Sequence, residues 1–223
     1  MTSLPPSETL DISAVGNFFK DTTNSYKYLL FLSLLKILNS RKFEVSYPIE
    51  FRELTIEMLV NAWYPYAYYK LSLGSQDTIG EQLEAIGLGR SQLLATLPKI
   101  NPIELRKTIA TKALEEPIKT LMRFVPYRLI RPFFESELRE KKDVKINPLI
   151  VELAQAEFES RKPLYWIDTN GKAVFVHPEW ANYINLHYNT LKNWAFWEWV
   201  DYMQRRNPKI SDVGSKLLPP QME

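Results

Sequence analysis

The sequence predicts a mainly α-helical fold, a multi-helix bundle-like domain with one small β-hairpin near residues 164–176. Three observations carry this. Apolar residues recur at helical spacing along most of the chain. Three later segments open on Asn-Pro or His-Pro, with proline at the first helical position. Only Leu164–Val176 reads as strand. The chain's 223 residues are ample for a hydrophobic core.

Residues 1–12 read as a disordered lead, followed by a short helix over Ser13–Lys20. Thr22, Thr23 or Asn24 caps the next helix, which runs to about Ser40. Its positions Tyr28, Phe31, Leu35 and Leu38 form one stripe, and Leu29, Leu30, Leu32, Leu34 and Ile37 cover most of the remaining circumference. A helix apolar nearly all round belongs at the centre of a core. It is too short, and too interrupted by Ser33 and Lys36, to span a membrane.

Pro48 opens a helix from Ile49 to Trp63, with Leu54, Met58 and Ala62 inward, and Pro65 breaks or kinks it. The aromatic stretch Trp63–Leu73 then closes at Gly74. Short helices are expected at Asp77–Ile86 and Ser91–Leu97, separated by Gly87 and Gly89. Asn101-Pro102, Asn147-Pro148 and His177-Pro178 predict helices over 102–114, 148–160 and from 178 to about Arg206, the first with Glu104 as capping-box acid. Between them, Pro117 interrupts, an irregular or short helical stretch starts at Val125-Pro126, and a charged helix runs over 133–141. In the strand region, Asn170-Gly171 between β-prone flanks signals a hairpin. Residues 211–223 read as a flexible tail. Residues 13–210 form a single helical domain, with a subdivision near 98–102 or 143–147 left open.

Composition excludes several chemistries. There is no cysteine, which removes disulfides, thiolate nucleophiles and cysteine-ligated zinc, and a cytoplasmic location is the expectation. Met1–Leu10 is polar and is not a signal peptide. The two histidines, His177 and His187, stand in no recognised metal-ligand spacing, and His177 reads as a helix cap beside Pro178. A nuclease site of HNH type would need a hairpin, a loop and a helix carrying His, Asn and His or Asn. His177 and Asn193 offer part of this, but the intervening residues read as helix and Asp201 stands where the last ligand would be. Asp143-Val144-Lys145 matches the short half of another nuclease pattern without a partner acid. Gly87-Leu88-Gly89 is a turn and not a phosphate cradle, and no P-loop, dinucleotide fingerprint or nucleophile elbow occurs. No catalytic residue, metal ligand or cofactor is assigned within the chain.

The positive signal is basic clustering. Net charge is only +2, too balanced to announce nucleic acid by itself. Yet from Lys119 to Lys145 eight basic residues face four acidic ones, with Arg123, Arg128 and Arg131 interleaved among Phe124, Tyr127, Phe133 and Phe134. Phosphate contact with base stacking calls for this mixture. Arg205 and Arg206, with Lys209, form a smaller cluster. Arg123, Tyr127, Arg128, Arg131, Arg205 and Arg206 are therefore the candidate nucleic-acid-binding residues. The competing reading is that these arginines cap helix ends and lie over an aromatic core.

Several ordered segments add a resemblance. They are Asp21-Thr22-Thr23-Asn24-Ser25-Tyr26-Lys27, Ala62-Trp63-Tyr64-Pro65, Tyr69-Lys70-Leu71-Ser72-Leu73-Gly74-Ser75-Gln76-Asp77, Val125-Pro126-Tyr127-Arg128 with Pro132-Phe133-Phe134, and Gln204-Arg205-Arg206-Asn207-Pro208. In this order, over about residues 20–220, they resemble the N-terminal region of a family of bacterial HNH-endonuclease-domain proteins. The resemblance implies a non-catalytic region that recognises DNA or RNA, or a partner, for an HNH nuclease holding one divalent metal. It further implies a setting in mobile-element or phage-defence systems, with nuclease or other defence-complex subunits as partners and no membrane. The HNH domain itself would begin after residue 223. Truncation, a naturally short relative and a subunit whose nuclease is elsewhere stay open. So do a purely structural interaction module and, more remotely, a self-contained metal-dependent nuclease.

Overall fold

The computed structural model describes residues 4–90 and 101–220. Its architecture is mainly helical, with a small three-stranded antiparallel sheet on one side. Helix α1 (Ile12–Gly16) leads to α2 (Tyr26–Ser40), in which Tyr28, Leu29, Leu30, Phe31, Leu34, Leu35, Ile37 and Leu38 are all buried. Because α2 is apolar on every side, it takes neighbours on several. It packs against α3 (Phe51–Trp63), α7 (Val125–Ile130) and the long α10 (Pro178–Arg206). Each such Leu or Phe taken from water contributes on the order of 1.5–3 kcal/mol, so α2 is the axis on which the other helices are assembled.

Trp63 ends α3, and the chain continues as a π-helical turn over Tyr64–Tyr68 with Pro65 inside it. The helix is thus rewound at the proline rather than stopped. Helix α4 covers Ile79–Ala85, and α5 covers Pro102–Ala110. Asn101 caps α5 as its sequence predicts, Oδ1 accepting from the N–H groups of Ile103 and Glu104 at 3.0 Å each. The helix expected at Ser91–Leu97 lies outside the described residues, as does part of the open boundary at 98–102.

Helices α6 (Glu115–Leu121) and α8 (Glu135–Leu138) flank α7 and a 3-10 turn at Arg131–Phe134. The expected start of the next helix at Pro148 is corrected. Helix α9 spans Asp143–Ala156 with Pro148 inside it, so the other open boundary at 143–147 is continuous helix. The bond that Pro148 cannot make would go to the carbonyl of Val144, an exposed residue, where water is an adequate partner. The side chain of Asn147 is not a cap; it donates to the carbonyl of Arg123 at 3.5 Å.

Strands β2 (Tyr165–Ile167) and β3 (Ala173–Val176) form the expected hairpin, with Trp166 stacked on Phe175 at 4.1 Å. Asp168 closes its turn, Oδ1 accepting from the N–H groups of Lys172 at 2.6 Å and Ala173 at 3.0 Å, and Gly171 supplies a positive φ of 61°. A third strand was not foreseen. Ile49–Glu50, expected as the first turn of a helix, is β1 and pairs with β3, Ile49 opposite Val174. His177 caps α10, Nδ1 accepting from the N–H of Glu179 at 3.1 Å, and burial lowers its pKa. Helix α10 is bent at His187, whose φ of −116° and ψ of 23° are not helical.

Described segments toward both termini pack on the core. Leu10 is buried, and the hydroxyl of Tyr183 donates to the carbonyl of Pro5 at 2.6 Å. A short α11 (Val213–Lys216) buries Val213 and Leu217. No helix among the described residues is long and apolar enough to cross a membrane.

Arg161 clamps the turn after α7 to the end of α9. Its guanidinium donates to the carbonyl of Phe133 at 3.0 Å, pairs with Glu137 at 2.5 Å and Glu157 at 2.6 Å, and lies over the Phe134 ring. Hydrogen bonds from Arg161 and Ser136 pull the Glu137 carboxyl down to about 2. A depressed folded-state pKa contributes stability above the unfolded value, which is lost as pH falls through the folded one. Wild type is therefore expected to lose up to about 1 kcal/mol from this pair between about pH 4.5 and pH 2. Urea titrations at stepped pH should show that slope reduced in Glu137→Gln; parallel curves would refute the assignment.

Candidate functional site

Between the start of α2 and the α7 segment lies a cleft of about 540 Å³. One wall is the loop from Lys20 to Asn24 with Tyr26 and Lys27; the other is Thr120, Phe124, Arg128, Arg131 and Glu135. Buried Leu121 and Val125, with Pro132, provide an apolar floor.

The α2 wall is held from behind. Ser25, at the N-cap position, is fully buried, and its side chain caps nothing. Instead its N–H donates to Asp77 Oδ2 at 2.9 Å and its hydroxyl donates to the same oxygen. Asp77 Oδ1 accepts from the N–H of Ile79 at 3.0 Å. Burial raises the Asp77 pKa, and the bonds from Ser25 and Ile79 oppose that shift. The Tyr26 hydroxyl accepts from the N–H of Thr78 at 2.7 Å and pairs with its Oγ1 at 2.8 Å. The N-cap and first residue of α2 are thus fixed to two consecutive residues of the loop before α4, and the next side chain, Lys27, lines the cleft.

The opposite wall follows from helix periodicity. Val125, Leu129, Ile130, Phe133 and Phe134 are buried, which leaves Arg128 and Arg131, three residues apart, on one outward face. The hydroxyl of Tyr165 in β2 donates to the carbonyl of Pro126 at 2.7 Å and fixes α7 to the sheet.

Lys20, Lys27, Arg128 and Arg131 line the cleft against only Asp21 and Glu135. Among the described residues Lys27 pairs with no carboxylate; its ammonium donates to the carbonyl of Asp21 at 3.4 Å. Its pKa is lowered by burial first, Asp21 acting against this, and the positive charges of Arg131 and Arg128 lower it further. Arg128 makes one long contact, 3.5 Å, to the exposed Asp143, and its Nε is buried without an acceptor. Arg131 has no ion pair among the described residues. Like charges gathered in a half-buried site with few counter-charges leave it matched to an anion.

The six residues singled out in the sequence are divided by the fold. Arg128 and Arg131 are brought together in the cleft. Arg123 is exposed and stacks at 4.8 Å over Phe124, a cleft-wall ring, so it stands beside the site. Tyr127 turns away toward the hairpin, its pKa raised by burial and by Asp168. Arg206 lies over the Tyr202 ring and donates at 3.3 Å to the carbonyl of Thr23, at the cleft rim. Arg205 is paired with Asp201 on its own helix. Sequence reasoning missed Lys20 and Lys27. Lys27 carried a signal: it is the one charge in the first turn of a mainly apolar helix.

Four of the ordered segments quoted above meet here. The 21–27 and 125–134 segments form the cleft. The 69–77 and 204–208 segments brace it, Asn207 accepting from the N–H of Ser72 at 2.8 Å and donating to its carbonyl at 2.9 Å. Among the described residues no group of three or more His, Asp or Glu side chains could hold a metal ion. Compared with known proteins, the chain matches no family model, no curated sequence and no solved structure.

Proposed function

We infer that the chain is a nucleic-acid recognition module whose cleft holds a strand by its phosphates. The cutting chemistry of the system it serves, with its divalent metal, then lies in an HNH-type nuclease domain or partner. The observation that carries the recognition role is the unbalanced cation set, Lys27, Arg128 and Arg131 on facing walls with Phe124 beside them for a base. Fluorescence anisotropy with a labelled single-stranded oligonucleotide tests it. Affinity should fall linearly with log salt, with a slope of roughly 0.7 per phosphate held. The pair Arg128→Glu and Arg131→Glu should weaken binding at low salt by at least about tenfold and flatten that slope. Lys119→Glu, an exposed change on α6, should do neither. Absence of binding at low salt would defeat this reading.

It would favour the second reading, a protein-interaction module. A separate hollow of about 300 Å³, mostly apolar and lined by Leu32, Val60, Tyr64, Phe196, Trp199 and Leu218, supports that alternative. Trp197 stands exposed beside Phe196.

A further inference from the structure

We propose that the cleft is a receptor for a phosphomonoester carried on a nucleoside, at the end of a nucleic-acid strand or on a free nucleotide. The proposal rests on the reading of the cleft as a nucleic-acid site and narrows what enters it. Three features lead to it.

The first is size. At about 540 Å³ the cleft falls within the range of small-molecule pockets, about 300–1,000 Å³. It is sized for a nucleotide unit rather than for a duplex or a long run of strand. The cations of the two walls converge on one short space, while Arg205 on α10 pairs with Asp201 of its own helix.

The second is charge. An internal phosphodiester carries one negative charge, and a phosphomonoester about −1.5 to −2 at pH 7. Lys27, Arg128 and Arg131 line the same cleft from two walls. Among the described residues, Arg128 makes one long ion pair and Arg131 makes none. Asp21 and Glu135 also face the cleft, two carboxylates against the four cations of Lys20, Lys27, Arg128 and Arg131.

The third is the chemistry of the remaining surface. Phe124 is about half exposed on the wall, with Arg123 stacked on it. Leu121, Val125 and Pro132 offer an apolar floor. A base or sugar attached to the phosphate has a place to stack, which free phosphate would not use.

The test uses the full chain and a single-stranded decathymidylate labelled at an internal base, carrying a 5′ phosphate, a 3′ phosphate or neither. Adenosine 5′-monophosphate and adenosine serve as competitors. One phosphorylated strand should bind at least about tenfold more tightly than the hydroxyl-ended strand, the worth of one hydrogen bond to a charged group. The monophosphate should compete and adenosine should not. Arg131→Ala should erase the difference, and this variant is expected to fold because Arg131 makes no ion pair among the described residues; a melting curve checks that. Equal binding of all three strands without competition by the monophosphate would overturn the proposal and leave nucleic-acid recognition standing. Binding of the monophosphate with no strand bound would uphold the proposal, make the free nucleotide the ligand, and overturn strand recognition. No binding of either at low salt would overturn both.

Discussion

Trp63→Ala is expected to destabilise the protein by about 3–5 kcal/mol, a large part of the 5–15 kcal/mol typical of a folded domain. Trp63 is fully buried at the end of α3. Its ring meets Tyr64 edge to face at 5.0 Å, and its indole N–H donates to the carbonyl of Leu88 at 3.0 Å. Alanine removes the packing, opens a cavity where the π-helical turn begins, and strips the Leu88 carbonyl of its donor. Trp63→Phe keeps much of the volume and loses the hydrogen bond, so it should cost markedly less. Urea unfolding followed by circular dichroism measures both. A loss below about 1 kcal/mol for the alanine variant would mean that this junction relaxes freely, contrary to the packing described.

Asn207→Ala is expected to cost about 2–4 kcal/mol, from three hydrogen bonds and the buried backbone groups left behind. The Asn207 side chain accepts from the N–H of Ser72 and donates to the carbonyls of Ser72 and Met203, all within 2.9 Å. Only an amide offers donor and acceptor in that order. Asn207→Asp is nearly isosteric, yet it would aim a carboxylate at two carbonyl oxygens, and it should be as damaging as alanine. The readout is hydrogen exchange at the Ser72 amide, which should lose protection in both variants before the core helices do. Retained protection in Asn207→Asp would overturn the assignment.

How much of this was legible in the sequence depends on the range of the interaction. Helix starts governed by the adjacent residue were legible: Asn101 and His177 cap as their Asn-Pro and His-Pro pairs predict. The same grammar misled at Asn147-Pro148 because a lost hydrogen bond near an exposed first turn costs little, so α9 begins at Asp143 regardless. The hairpin was announced by Asn170-Gly171. Strand β1 was not, since Ile49–Glu50 is too short for alternation and its partner Val174 is remote in the chain. The cleft shows the same limit. Its α7 wall was visible as arginines among aromatics, but Lys27 on the facing wall is placed by Ser25 and Tyr26 binding Asp77 and Thr78, a pairing no local pattern encodes. The division of the arginines into cleft residues, a rim residue and an internally paired one is likewise a property of tertiary contacts.

The burial of most of α2 has a consequence for synthesis. Its covering partner α10 begins about 140 residues after α2 ends. During translation, this apolar stretch must therefore wait for that interval to be made before its neighbour arrives. Native closure is a long-range event of the slow kind, and the nascent protein carries an adhesive surface until α10 follows. Premature release of the chain before α10 is complete would leave that surface bare, so fragments ending within the hairpin should aggregate or recruit chaperones rather than persist as small folded units.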